Sequence, residues 1–345
     1  MKTIKPVVER FSSIFSLKIF SLRPIAAILA LFLLVSLPAF ADDDNRVTNK
    51  ETGIVYDDLQ VAINAASDGD TLLLKGEFFG PFVITKSLAL VANHQAVLNG
   101  NHAVRVLSIP TKTVHVFLKH IKIKNGFATS GAGISNFGNL TLKHCEVTHN
   151  ASATDGGGGI QSTFAGGAGG NLTIIESVVN NNSASTVGGG IDMLSGTLTI
   201  KESTVKGNSA ISGAGIHSLN AILTITDSKF EVNRATTLGG ALFLVGSPTS
   251  FVEDIIAGNS AAQGGGIFNQ QGVLSFDQVK IRQNAAGAGG GVFNNTGGTV
   301  NFNQSEVKQN VVSTTGGGIF SMPTAVLQLI NTEVEQNLPN DVFVP

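Results

Sequence analysis

The chain has no tryptophan, one tyrosine (Tyr56) and one cysteine (Cys145) among 345 residues. A single thiol closes no internal disulfide, so stability must come from packing and hydrogen bonding, and the thiol itself reads as a small buried apolar residue. Charged residues are scarce at 13%, about half of ordinary usage, which leaves a surface of Asn, Ser, Thr and Gly. The net charge is −2, or −6 over residues 42–345. A mildly acidic chain without a basic patch offers nothing to neutralise phosphates, so nucleic acid and anionic membranes are poor partners. Long apolar runs are also missing, apart from Ile25 to Val35, which is short of the roughly 20 residues of a membrane span.

That one run belongs to an export pattern. Lys2, Lys5, Arg10, Lys18 and Arg23 form a basic leader, and Ala39-Phe40-Ala41 is an A-x-A cleavage site before Asp42-Asp43-Asp44. The expected organisation is a signal peptide at 1–41 and a linker at 42–53. No transmembrane segment remains after signal removal. The mature chain is then secreted, extracellular or periplasmic, or held at the cell surface through a partner.

What the chain has in abundance is glycine, 41 residues, arranged in repeats. A small-Gly-small-aliphatic motif ends at Ile134, Ile160, Ile191, Ile216, Leu242, Ile267, Val292 and Ile319, at spacings of 26, 31, 25, 26, 25, 25 and 27. A second motif, apolar-x-x-Asn, ends at Asn150, Asn182, Asn208, Asn233, Asn259, Asn284, Asn310 and Asn337, with Asn125 as an earlier candidate. Another apolar residue always stands five positions before its first member. Segments such as Leu198-Thr199-Ile200 alternate with the period of a strand buried on one face. Strands this short need neighbours above and below, which is the logic of a solenoid, and the period excludes helical and leucine-rich repeats.

The fold class expected is all-β: a right-handed parallel β-helix of about 11 coils over residues 71–340, with a C-terminal tail at 341–345. Stacking puts equivalent residues about 4.8 Å apart, so the Asn series becomes a structural ladder of side-chain amides at a turn. Residues 54–70 read as a short capping α-helix. Asp57 and Gln60 form its capping box, Tyr56 staples onto Val61, Leu59, Ile63 and Ala66 make its apolar stripe, and Gly69 ends it. Its task would be to cover the first coil, whose bare edge invites aggregation. One insertion, Phe164 to Gly170, interrupts the regular spacing as a loop.

Gly239-Gly240-Ala241-Leu242 and Phe230-Glu231-Val232-Asn233 resemble the GGA[ILV] and FxxN motifs of polymorphic outer membrane proteins and autotransporter passengers, within the pectate-lyase-like superfamily of β-helices. The resemblance covers roughly residues 54–340 and implies the fold more than an activity. Those surface proteins end in a membrane β-barrel, whereas the repeats here run to the last residues given, so the resemblance favours a secreted or periplasmic product over self-anchoring.

Polysaccharide lyases and glycoside hydrolases on this fold need clustered carboxylates with Arg, Lys or His. No such motif stands in the repeats. The reading is therefore against an enzyme; were there one, it would be a polysaccharide lyase or glycoside hydrolase, and no catalytic residue is assigned. Two other series are candidates for function. Glu176, Glu202, Asp227 and Glu253 occupy one position on successive coils, flanked by His144 and Gln278. Stacked carboxylates repel by about 0.9 kcal/mol per neighbour in water; Lys201, Lys229 and solvent are favoured over a bound Ca²⁺ as the offset, and no cofactor is expected. After the Gly motif come Ser135, Gln161, Asp192 and His217, then Phe243, Phe268, Phe293 and Phe320. Since the first four are polar, the position should face outward, making the four Phe an exposed aromatic contact stripe. The function expected is a monomeric, adhesin-like interaction module for a glycan or protein at a surface, with a polysaccharide-binding or carbohydrate-active β-helix as the alternative.

Overall fold

A computed structural model describes residues 45–163 and 170–345. The signal peptide expected at 1–41 and the inserted loop over 164–169 lie outside the described residues. The remainder is an all-β parallel solenoid of about ten turns, of the right-handed type. Each turn follows from the short alternating segments. Leu140, Leu142 and Val147 point inward at 1% exposure or less, while Thr141 and Lys143 between them face out.

Four sheets result, the smallest a pair formed by Ala285–Ala286 and Val311–Val312. The largest, with 22 strands, has two arms in each regular coil: a five-residue first arm such as Asn139–Lys143 and a three-residue second arm such as Glu146–Thr148. An eleven-strand sheet carries the aliphatic residue that ends each Gly motif, and a five-strand sheet carries short segments such as Ser209–Ser212. Pairing between coils is parallel and in register, as in Leu198↔Leu223, Thr199↔Thr224 and Ile200↔Ile225. The core is one continuous column between the two large sheets, ending in stacked rings: Phe251 on Phe276 at 4.7 Å and Phe276 on Phe302 at 4.4 Å.

The corners are made by residues in the left-handed region. His144, Glu176, Glu202, Asp227, Glu253, Gln278 and Gln304 all have φ between 48° and 58° at the bend between the two arms. A second left-handed position, held by His149, Asn181, Gly207, Val232, Gly258 and Gln283, precedes each ladder Asn. Gly264, the first glycine of its motif, has φ of 64°, and a Cβ there would lie 2.4 Å from the Ile267 carbonyl. In the next place, a Cβ on Gly265 would come within 2.5 Å of the Ala285 carbonyl of the following coil. The motif is thus small because one glycine turns the chain and the next lies against the neighbouring coil's outgoing strand.

The N-terminal end departs from expectation in two ways. Residues 42–53 are not all linker: β1 (Arg46–Asn49) pairs antiparallel with β2 (Val55–Tyr56) and, from Arg46↔Lys75 to Asn49↔Leu72, with β3 (Thr71–Lys75) of the first coil. Alternation of Val47 and Asn49, both buried, is the reason. The helix α1 is shorter, Leu59–Ala65, and its N-cap is Asp58, whose Oδ1 accepts the Val61 N–H at 2.8 Å. Gln60 reaches across to Val83 instead of back to the cap, and Val61 is 53% exposed, so neither the capping box nor the staple forms. Leu59, Ala62, Ile63 and Ala66 do bury against the first coil.

At the opposite end the described residues place no helix or antiparallel strand over the last coil. Leu329, the equivalent of the buried Phe302, is 41% exposed, and Val326 and Leu338 are 54% and 61% exposed.

Candidate functional site

The Asn series is a continuous hydrogen-bonded column. From Asn182 onward each ladder amide uses its full capacity of two donors and two lone pairs. Asn259 Oδ1 accepts from the backbone N–H and the Nδ2 of Asn233, while its own Nδ2 donates to Phe230 O and to Asn284 Oδ1, all at 2.9–3.0 Å. The pattern runs from Asn150 to Asn337, which closes on Asp341 Oδ1. Asn125 is not a rung; the corresponding place belongs to Gly126, whose N–H donates to Asn150 Oδ1.

The outward position after the Gly motif is not an exposed stripe. Phe268 and Phe293 are 3% and 4% exposed, Phe243 and Phe320 are half-buried, and the polar members Gln161, Asp192 and His217 are buried too. The position does face away from the core column, but the returning Gly segment folds over it: a Cβ on Gly289 would lie 2.8 Å from Phe293 Cβ, and one on Gly316 2.8 Å from Phe320 Cβ. Alternation could not reveal that cover. The ladder is stacked end to end, Phe268 on Phe293 at 4.9 Å and Phe293 on Phe320 at 4.6 Å, and continues to Phe343. At its other end His217 Nδ1 meets Asp192 Oδ1 at 2.7 Å, Gln161 donates to Asp192 Oδ2, and the imidazole rests on Phe243. The side chains that look chemically ready are spent on one another.

Glu176, Glu202, Asp227 and Glu253 sit in the left-handed corner described above. His144 and Lys143 lie 3.1 and 3.5 Å from Glu176, and Lys201 lies 3.1 Å from Glu202. Lys143 and Lys201 therefore answer two of the four carboxylates. Among the described residues no group of three His, Cys, Asp or Glu side chains is placed to share a metal ion.

One residue of the bend stands apart. Just after the corner, Ser177, Ser203, Ser228 and Ser305 each accept the preceding coil's N–H on Oγ and donate to their own chain two residues back. Cys145 heads this column, buried, with its thiol pushed up to about 11 by burial. Asp254 takes a serine's place. It is fully buried, its oxygens accept the Ser228 and Val252 N–H groups at 2.7 and 3.0 Å, and desolvation raises its carboxyl to about 7, with Asp227 and Glu253 adding to the effect. It borders an open cleft of about 440 Å³ lined also by Glu253, Lys280, Gln278, Gln304 and Glu306. Sequence reasoning missed Asp254, although an acid in a column of small hydroxyls was visible once the coils were aligned.

Charge on the large sheet is denser on the second arm than on the first. The outward rows of the second arm hold Lys or Glu on most coils, among them Lys122, Glu146, Lys229, Lys280, Glu306 and Glu333. On the first arm, the central outward row runs Phe117, Thr141, Thr173, Thr199, Thr224, Ser250, Ser275, Asn301 and Gln328, and the row beside it from His115 through Thr197, Ile222 and Val273 to Val326. Neither row contains a Lys, Arg, Asp or Glu, whereas the third outward row of the same arm holds Lys119, Lys143, Lys201 and Asp277.

Compared with protein-family models, with curated proteins and with solved structures, the chain matches none.

Proposed function

We propose that this chain is a non-catalytic β-helix that works as an interaction module at or outside the cell surface, adhesin-like in using a long rigid side as its contact. The observation that carries the reading is where the reactive side chains go. Asp192, His217, the ladder Asn residues and the Phe column are all committed to holding one coil on the next, so what remains outward is a set of extended faces. Function on such a fold resides in the surface it displays and not in the fold itself. The repeat motifs' resemblance to polymorphic outer membrane and autotransporter passenger repeats, and the export pattern before Asp42, support the same location.

The contact is not the Phe stripe, which is covered. A carbohydrate-active site is the second reading, and the cleft beside Asp254, with an acid near neutrality and Lys280 at its rim, is the observation in its favour. The test is binding of the purified chain to intact cell surfaces or extracellular matrix, run beside a reducing-sugar and unsaturated-product assay on a polysaccharide panel. Saturable binding without product supports the module. Product formation abolished by Asp254→Ser would replace it with the enzyme.

A further inference from the structure

The hydroxyl column just after the corner is interrupted at one place. The N–H groups of Cys145, Ser177, Ser203, Ser228, Val279 and Ser305 each donate to a side-chain oxygen on the following coil, at 2.7–3.3 Å. Asp254 does not. The following coil places Val279 where the others place an oxygen, and the Asp254 N–H has no partner among the described residues. Both residues are fully buried, and a buried N–H without an acceptor costs about as much as a lost hydrogen bond. The bonds of the Asp254 side chain are irregular too. Each serine donates its hydroxyl back to its own chain, whereas Asp254 accepts twice, from Ser228 and from Val252. The cleft of about 440 Å³ opens at this same interface, with Glu253, Asp254 and Ile255 on one coil and Gln278, Val279 and Lys280 on the next.

We infer that the interface between the coil of Asp254 and the coil of Val279 is a pH-sensitive joint: the three coils beyond it, with first arms at Val273–Asp277, Thr299–Asn303 and Val326–Ile330, are held in acid and released as a block as the pH rises towards neutrality. The joint is a property of the stack and does not depend on what the outer faces bind. Each coil of a solenoid touches only its neighbours, so one weakened interface divides the column into cooperative blocks. Phe251 on Phe276 and Asn259 on Asn284 cross the joint and hold it, while the missing acceptor and the buried acid work against them. The charged groups around Asp254 in the register are Asp227 and Lys229 on the preceding coil, Glu253 beside it, Asp277 and Lys280 on the following coil, and Glu306 beyond. Burial, with Asp227 and Glu253, opposes ionisation and raises the carboxyl to about 7 in the closed joint. Once the block leaves, Asp254 stands at a bare end in water and ionises near pH 4. The closed form keeps a proton that the open form gives up, so closure is strongest below about pH 4 and weakens up to about pH 7.

The experiment is amide hydrogen exchange of the whole chain at pH 5 and pH 8, each rate compared with that of an unstructured peptide at the same pH. At pH 8 protection should drop in a step at the joint. Val273–Asp277 and Thr299–Asn303 should share one value, well below that of Leu198–Ile200, and that shared value should rise about tenfold or more at pH 5. Two variants separate the acid from the missing acceptor, and each installs a residue the column already holds. Asp254→Ser, as at Ser228, should make the protection of the block independent of pH. Val279→Thr keeps the shape of valine and supplies the oxygen, as Thr332 does where its Oγ1 accepts the Ser305 N–H and donates to Ile330 O. It should raise the protection of the block at both pH values. The inference is overturned if protection declines smoothly towards the C-terminal end with no step, if the block is equally protected at pH 5 and pH 8, or if Val279→Thr leaves its protection unchanged or lowers it.

Discussion

Asn259 shows what one residue carries in this molecule. Its amide serves four partners in two neighbouring coils and is fully buried, so truncation leaves several buried polar groups without partners at about 1–3 kcal/mol each. Asn259→Ala should cost about 3 kcal/mol or more in urea unfolding, against a few tenths for an exposed control such as Thr224→Ala. Asp254 makes a prediction of opposite sign to the usual carboxylate. With its carboxyl raised to about 7 in the fold, the native chain keeps a proton that the unfolded chain releases near pH 4, so stability falls as pH rises from about 4 to about 7 and stays low above. Over three pH units the linkage amounts to about 4 kcal/mol at most. Asp254→Ser restores the hydroxyl column; it should flatten that dependence and raise the urea midpoint at pH 8 while changing little at pH 4.5. A mutant with the same slope as the parent would dismiss the assignment.

At the scale of the element, the arm between the Asn turn and the next Gly motif is the least forgiving part. A side chain on Gly265 collides with the next coil's backbone, and backbone atoms cannot swing aside, so Gly265→Val should lower the melting temperature far more than Ser275→Val on the open first arm. Under that arm the Phe column behaves as core. Phe268→Ser with Phe293→Ser removes two stacked, buried rings and should destabilise by several kcal/mol, in the range of large-to-small core changes. An undisturbed denaturation curve would mean the rings are not packed as described. Here the limits of the sequence are physical. Strand positions, the inward residues and the Asn ladder were legible because a 25-residue period with a fixed five-residue offset leaves little freedom. The cover over Phe268, the strand at Arg46–Asn49 and the shift of the N-cap to Asp58 were not, because each depends on which backbone comes to lie over the position, and alternation reports only the side of a strand.

Taken whole, the molecule is a column stabilised by nearest-neighbour contacts, so its stability is a sum of coils and interfaces. The first coil has β1 and α1 over it, and the last described coil has Leu329 and Leu338 in solvent. Opening should therefore start at the C-terminal end: amide exchange is expected fastest over Val326–Ile330, slowest in central strands such as Leu198–Ile200, and a uniform profile would contradict it. The amide column carries a further consequence for the chain's length. Because each Asn speaks only to the coil before and the coil after, the column has a period and no intrinsic size. Excising the 26 residues after Asn233 up to Asn259 would bring Asn233 against Asn284 with donors and acceptors matched. The column thus sets no limit to the number of coils, and the length of the outer faces is set by counting them.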